Sequence, residues 1–338
     1  MGEEKVAKKL PQSMQAIVIT EPGGPEVLEL AKVDVPAPRP NEILIKVTAA
    51  GINGPDMMQR KGLYPPPKGA TELLGLEVAG EVIAVGKDAK GWSVGDPVCA
   101  LTNGGGYAEY VPADATHCLP IPKGLSPVEA ATFPEAYCTI WSNIFLPPTS
   151  LQAGETFLVH GGAGGLGTAS IQLGKAFGAK VFATDSPADR CAICSELGAD
   201  RVIDYNEEEF VDIVRGEAGG ADVILDIVGG PYIERNIKAA RHDGRIVQLA
   251  FALGSKVEIN LMSVMLKRLI YTGSTLRSRP EEFKTRVIGD LREKVWPLIE
   301  NGTIKPVVRQ SIPLADASEG HRMMETAGHT GKIVLEIG

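Results

Sequence analysis

The chain has 338 residues, 44% of them hydrophobic, which is beyond the size at which one core usually stops growing, so two domains are expected. Its 34 Lys and Arg against 42 Asp and Glu leave a formal charge of −8 with no basic stripe, which argues against nucleic acid as a partner. No stretch approaches the roughly 20 apolar residues that span a bilayer, and five thinly spread cysteines suit reduced thiols, so a soluble, cytoplasmic protein with no membrane partner is expected.

From residue 15 to about 125 the chain reads as short strands between turn signals: "QAIVIT", "EILIKVTAAGIN", "EVAGEVIAVG", "DPVCAL" and "GYAEYV". Strands spaced so closely predict a compact β-rich lobe. Near 126 the pattern changes. "SPVEAATFPEAYCTIWSNIF" has helical spacing, with Ser126 as N-cap, Pro127 in the first helical position and Glu129 in the third. Between about 150 and 275 six apolar runs, "ETFLVH", "AKVFAT", "DRVIDY", "ADVILDIV", "GRIVQLAF" and "RLIYTGS", alternate with helical patterns, as a doubly wound α/β parallel sheet requires. After 300, "PVVRQSIPL" and "GKIVLEIG" flank the helical "DASEGHRMMETAG" and are expected to rejoin the first lobe.

The run Gly162-Ala163-Gly164-Gly165-Leu166-Gly167 follows the strand "ETFLVH" directly and opens a helix that puts Leu166, Ala169, Leu173 and Phe177 on one face, with Gly178 as its C-terminal cap. In this context the first glycine is expected to allow the tight turn, the second to let backbone approach a pyrophosphate, and the third to let helix and strand pack closely. Asp185, at the end of the next strand, is placed to bind a ribose. A free carboxylate there favours NADH, because a 2′-phosphate about 4 Å away would meet repulsion of up to about 4 kcal/mol at a surface-like dielectric. Ser186 and Arg190 argue the other way, since both can bind a phosphate, although Arg190 also reads as a solvated helix charge.

Several other residues read as structural. Cys191 and Cys194 form a C-x-x-C inside a helical pattern, His160 ends a strand as a packed polar residue, Asp56 reads as a helix N-cap, and Glu77 as a structural hydrogen-bond acceptor. Asn53 and Tyr64 are read two ways: loop and turn supports, or groups facing a substrate.

The segments "PGGPEVLEL", "AAGINGPDMMQRKGLYPPP", "LGLEVAGEV", "FPEAYCTIW", "HGGAGGLGTASIQLGKAFGA", "LDIVGG", "GSTLRSR" and "GKIVLEIG" together resemble the zinc-independent, zeta-crystallin-like quinone oxidoreductases of the medium-chain dehydrogenase/reductase superfamily over nearly the whole chain. The resemblance implies a GroES-like catalytic domain from 1–130 and 300–338, a Rossmann domain from 131–299, and a homodimer. It further implies that Asn53, Tyr64 and Thr139 face the nicotinamide or substrate, Gly164, Gly165 and Leu166 the pyrophosphate, and Tyr205 the adenosine phosphate. Val228, Gly229, Ala250, Phe251 and Lys332 are implied beside the nicotinamide half. The family's usual cofactor, NADPH, is slightly favoured over NADH, while Asp185-Ser186-Pro187 departs from the small residues common at that place.

Metal-dependent relatives hold zinc with the Cys of "GIC" and the His of "GHE"; this chain reads "GIN" and "GLE", giving Asn53 and Leu76. Without those ligands the tetrahedral N/S set of a zinc site is not expected, and hydride delivery to an acceptor that already spreads negative charge needs only positioning and hydrogen bonds. The expected reaction is metal-free, NAD(P)H-dependent reduction of a small-molecule quinone. Reduction of an alkenal, enone or enoyl thioester is the alternative, and a non-catalytic dinucleotide-binding, crystallin-like protein is the third reading.

Overall fold

A computed structural model describes residues 10–326 and 330–338. The first lobe carries β1 (Ser13–Ile19), β2 (Leu28–Asp34), β3 (Glu42–Gly51), α1 (Gly54–Arg60), β4 (Glu77–Val85), β5 (Pro97–Leu101), β6 (Tyr110–Asp114) and β7 (Cys118–Pro120). There follow α2 (Pro127–Ala130), α3 (Pro134–Ile140), β8 (Thr156–His160), α4 (Gly165–Ala176), β9 (Lys180–Asp185), α5 (Ala188–Glu196), β10 (Arg201–Asp204) and α6 (Phe210–Ala218). The remainder runs through β11 (Ala221–Asp226), α7 (Tyr232–Ala239), β12 (Ala240–Gln248), α8 (Met262–Lys267), β13 (Ile270–Gly273), α9 (Glu281–Lys294), α10 (Trp296–Glu300), β14 (Val308–Pro313), α11 (Ala317–Glu325) and β15 (Lys332–Glu336).

Two large sheets organise the chain, with β1 and β2 paired as a separate two-stranded ribbon. The six predicted strands between 150 and 275 form one fully parallel sheet in the order β10-β9-β8-β11-β12-β13. Its central strands, rich in Val, Ile and Leu, are buried on both faces because helices cover both sides. The strand order reverses between β8 and β11, and the crevice beyond the carboxyl ends of such a pair is where open α/β sheets take ligands. The other sheet runs β14-β15-β3-β4-β5-β7, with β6 also paired to β3. Because β15 pairs antiparallel with β3, the tail rejoins the first lobe as expected and brings Lys332 beside residue 51 and its neighbours.

The helical pattern after 126 is two helices rather than one. Ser126 and Glu129 form the expected capping box, with Ser126 N–H donating to Glu129 Oε2 at 2.8 Å, and the chain restarts at Pro134, whose missing N–H suits a first helical position. At α1 the roles differ from the reading of Asp56 as N-cap. Asn53 holds the N-cap position, and Asp56, three residues on, accepts back from the Asn53 backbone N–H at 2.8 Å. Among the described residues no helix is long and apolar enough to cross a membrane.

Candidate functional site

The glycine turn leaves β8 at His160 and enters α4 at Gly165. The left-handed residue that makes the turn tight is Gly161, with φ 69°, and not Gly162 as the motif suggests. Gly162 is needed for a different reason: a Cβ there would lie 2.7 Å from Cys194 Sγ and 3.0 Å from Ala183 Cβ. Gly167 plays the expected packing role, since its Cβ would stand 2.1 Å from the Gly161 carbonyl oxygen. Gly164 is open, with that same oxygen at 3.4 Å as its nearest neighbour, so backbone there can be approached closely. The first amides of α4 have no intrahelical acceptor, and with the uncrowded Gly164 beside them the turn fits the pyrophosphate of a dinucleotide. Gly178, with φ 81°, closes the helix as predicted.

Asp185 is placed differently from the expectation of a ribose-facing carboxylate. It is 2% exposed and already accepts four hydrogen bonds: from Ala163 N–H (2.7 Å), Ser186 N–H (2.8 Å), Arg190 Nε (2.6 Å) and Arg190 Nη2 (3.1 Å). These fill its acceptor sites, so it staples the glycine turn and holds Arg190. Arg190, in turn, is a partly buried ion-pair partner and not a solvated helix charge. Ser186 accepts from Asn206 Nδ2 at 2.7 Å, and Tyr205 is exposed close by.

At the end of β11 a second turn is held by Asp226, whose Oδ1 accepts from the N–H groups of Val228 (2.6 Å) and Gly229 (2.9 Å). Gly229 has φ 67°, and a Cβ on it would sit 2.8 Å from Phe251, so the predicted residues 228, 229, 250 and 251 lie together. Asp226 Oδ2 accepts from Asn236 Nδ2 (2.9 Å), which fixes Asn236 Oδ1 as acceptor for His160 Nε2 (2.8 Å) and leaves His160 Nδ1 to accept from the Thr184 hydroxyl (2.8 Å). His160 is therefore a neutral, packed polar residue, as expected, and Cys194 is a buried free thiol of α5.

Opposite the glycine turn stands a buried cluster of side chains. Glu77, fully buried, accepts from Lys332 Nζ (2.5 Å), Asn53 Nδ2 (2.9 Å) and the Glu135 backbone N–H (2.9 Å), while Lys332 also donates to Asn53 Oδ1 (2.6 Å). Leu76 is packed into the core. Asn53 and Lys332 thus meet, and the lysine ammonium is tied to both Asn53 and Glu77. The two walls join where Gly331 N–H donates to the Ala163 carbonyl at 2.7 Å and Gly331 bridges to Gly164.

Behind Asn53 runs a chain of buried polar groups. Arg60 can only donate, so His321 Nδ1 accepts from it (3.1 Å), His321 Nε2 donates to the Tyr107 hydroxyl (3.2 Å), and Tyr107 donates to Asp56 Oδ2 (3.1 Å). Burial drives the His321 imidazole down to about 3 and lifts the Asp56 carboxyl to about 6.

Tyr64 is half-buried, with the Arg277 guanidinium 5.9 Å from its ring centre, and burial followed by the charge of Glu135 raises its hydroxyl above the usual value. Thr139 lies one turn along α3 from Glu135 and donates to its Oε1 at 3.4 Å. Glu135 itself was not foreseen. Burial first, and the nearby Glu77 second, push its carboxyl up to about 8. The only local signal was an acid inside "FPEAYCTIW", which also reads as an ordinary first-turn helix residue. A cavity of about 640 Å³ lies beyond Arg277 around Asn103 and Lys284, and its lining includes none of the predicted site residues.

Known proteins resemble this arrangement from end to end. Residues 39–123 match the alcohol dehydrogenase GroES-like domain and residues 165–292 the zinc-binding dehydrogenase family. A quinone oxidoreductase of Mus musculus is 32% identical over 329 residues, covering 95% of this chain and 97% of that protein. Among solved structures, an NAD-dependent alcohol dehydrogenase is 33% identical (TM-score 0.85, 96% of this chain, 100% of the other). The quinone oxidoreductase of Escherichia coli complexed with NADPH is 30% identical (TM-score 0.85, again 96% and 100%), and the CurK enoyl reductase 27% (TM-score 0.83, 97% and 100%).

Proposed function

The chain belongs to the quinone oxidoreductase family of the medium-chain dehydrogenase/reductase superfamily, and from that premise we propose that it is an NAD(P)H-dependent, metal-free reductase of quinones. The observation that carries this reading is the meeting of two walls: an amide-lined helix start that fits a dinucleotide, tied at Gly164 and Gly331 to a strand whose Lys332 ammonium is bonded to Asn53. A bound reduced nicotinamide supplies the hydride. Gly164, Gly165 and Leu166 hold the pyrophosphate, and the turns at Val228–Gly229 and Ala250–Phe251 border the nicotinamide half. Tyr64 positions the acceptor and donates to the oxygen on which negative charge develops, while Asn53, whose amide N–H groups go to Glu77 and the Gly51 carbonyl, lines the site. Lys332, paired with Glu77, orients Asn53 through a 2.6 Å bond.

We favour NADPH. With both oxygens of Asp185 committed to protein donors and its charge matched by Arg190, the like-charge argument for NADH loses its force. The similarity to enoyl reductases supports a second reading, reduction of a double bond conjugated to a carbonyl. A steady-state screen of NADH and NADPH against a quinone and an enone, with product analysis, separates the readings: hydroquinone supports the first, a saturated carbonyl the second. Tight dinucleotide binding with no turnover in any combination supports the crystallin-like alternative instead.

We also propose a homodimer. β13 is an edge strand, and Leu261, Met262, Met265 and Leu266 beside it are 61%, 55%, 65% and 62% exposed. A monomeric mass by light scattering removes this proposal.

A further inference from the structure

Resting on the reductase reading, we propose that Glu135 is the proton source of the site: its carboxylic acid gives the proton that the acceptor oxygen takes up as hydride is delivered. Two glutamates meet here and their surroundings differ. Glu77 has three donors and a lysine. Glu135 is 9% exposed, its carboxyl receives one long hydrogen bond (3.4 Å, from Thr139), and among the described residues no Lys or Arg is within ion-pair distance of it. Among the described residues no hydrogen bond reaches its Oε2, whereas its backbone is pinned to Glu77, in the same cluster as Asn53 and Lys332.

The charged groups around it work in both directions. Glu77 on β4 and Asp56 on α1 oppose its ionisation. Lys332 on β15 favours it but is bonded to Glu77 and Asn53, and Arg277 and Lys284 interact with it from beyond Tyr64 and from α9. Burial adds to the opposition, so the acid form persists to about pH 8. Tyr64 is the rival donor. Burial first, and the charge of Glu135 second, raise its hydroxyl above its ordinary value, so Glu135 is the stronger acid toward a phenolate-like oxyanion. In the step, the acceptor gains hydride with its electron pair, the Glu135 O–H bond breaks, a new O–H bond forms on the acceptor, and the glutamate is reprotonated from water. One NAD(P)H and one proton are consumed per two-electron reduction.

The test uses the full-length protein and two readouts. Wild-type kcat falls as pH rises through about 8. In Glu135→Gln that limb disappears and kcat drops roughly 100-fold with KM within a few-fold, and Glu135→Asp, which keeps an acid, recovers part of the rate. In the dinucleotide-free protein, an infrared band of a protonated carboxyl bleaches through the same pH range and is missing from Glu135→Gln. Wild-type turnover that Glu135→Gln matches at every pH, or a wild type with no carboxyl titrating near 8, overturns the proposal while leaving the reductase reading intact. A wild type silent toward quinone and enone overturns the reductase reading, and this role falls with it.

Discussion

The glycine turn makes its wall from backbone, and what it requires is the absence of side chains: at Gly167 a Cβ would stand 2.1 Å from the Gly161 carbonyl. The facing wall is made mainly of side chains, from residues 53, 77, 135 and 332, which the start of α1, strands β4 and β15 and helix α3 bring within hydrogen-bond reach. The first wall is local and stands on a few consecutive residues. The second depends on positions up to 279 residues apart, so an error in any one element would scatter it.

If that contrast is right, the largest single effect comes from removing a charge in the second wall. Lys332→Met leaves Glu77 fully buried without its cation and should cost about 3–5 kcal/mol in denaturant unfolding, with Glu77→Gln added in the double variant returning part of the loss. A loss below about 1 kcal/mol would show that the ion pair does not hold this wall.

The first wall should respond to position more than to charge. Gly167→Ala should destabilise by about 1–3 kcal/mol, because backbone atoms 2.1 and 2.6 Å from the new carbon must move. Gly164→Ala should fold almost normally, since the nearest atom is at 3.4 Å, yet weaken dinucleotide binding about tenfold by covering the amides at the helix start. Fluorescence titration with NADPH alongside thermal melts distinguishes the two, and equal effects at both positions would break the argument.

His321 sharpens the comparison by pH. It is neutral when folded and held down to about 3, so it contributes stability above its unfolded value near 6.5 that is lost as pH falls toward 3. Asp56, raised to about 6, works in the opposite sense, adding stability at low pH that is lost as pH rises from 3.8 to 6. The two partly cancel in the wild type. The stability difference between wild type and His321→Gln should therefore shrink by about 1.4 kcal/mol for each pH unit below 6.5, and a difference that stays flat down to pH 5 contradicts the assignment.

The smallest effect concerns cofactor choice. Arg190→Met leaves the Asp185 carboxylate without its cation, so affinity for NADPH should fall about tenfold more than affinity for NADH. Parallel losses for both dinucleotides would mean that the pair serves the turn and not the discrimination.

Reading the sequence succeeded where the physics is local. Six apolar runs gave six parallel strands, the Ser126–Glu129 box capped a helix, and the glycines marked a strand-to-helix turn, each set by neighbours a few residues away. It slipped by one residue at Gly161, because the motif does not reveal which glycine takes the positive φ. It misjudged Asp185, because an acid at a strand end looks the same whether its oxygens face a ribose or an arginine one turn on. Residue by residue, then, the chain by itself determined a strand-to-helix glycine turn and the strands of the parallel sheet, since backbone conformation is a property of short segments. Only the tertiary structure decided which of three buried acids pairs with Lys332 and in which two burial raises the carboxyl, because desolvation and pairing depend on distances between strands that no local pattern records.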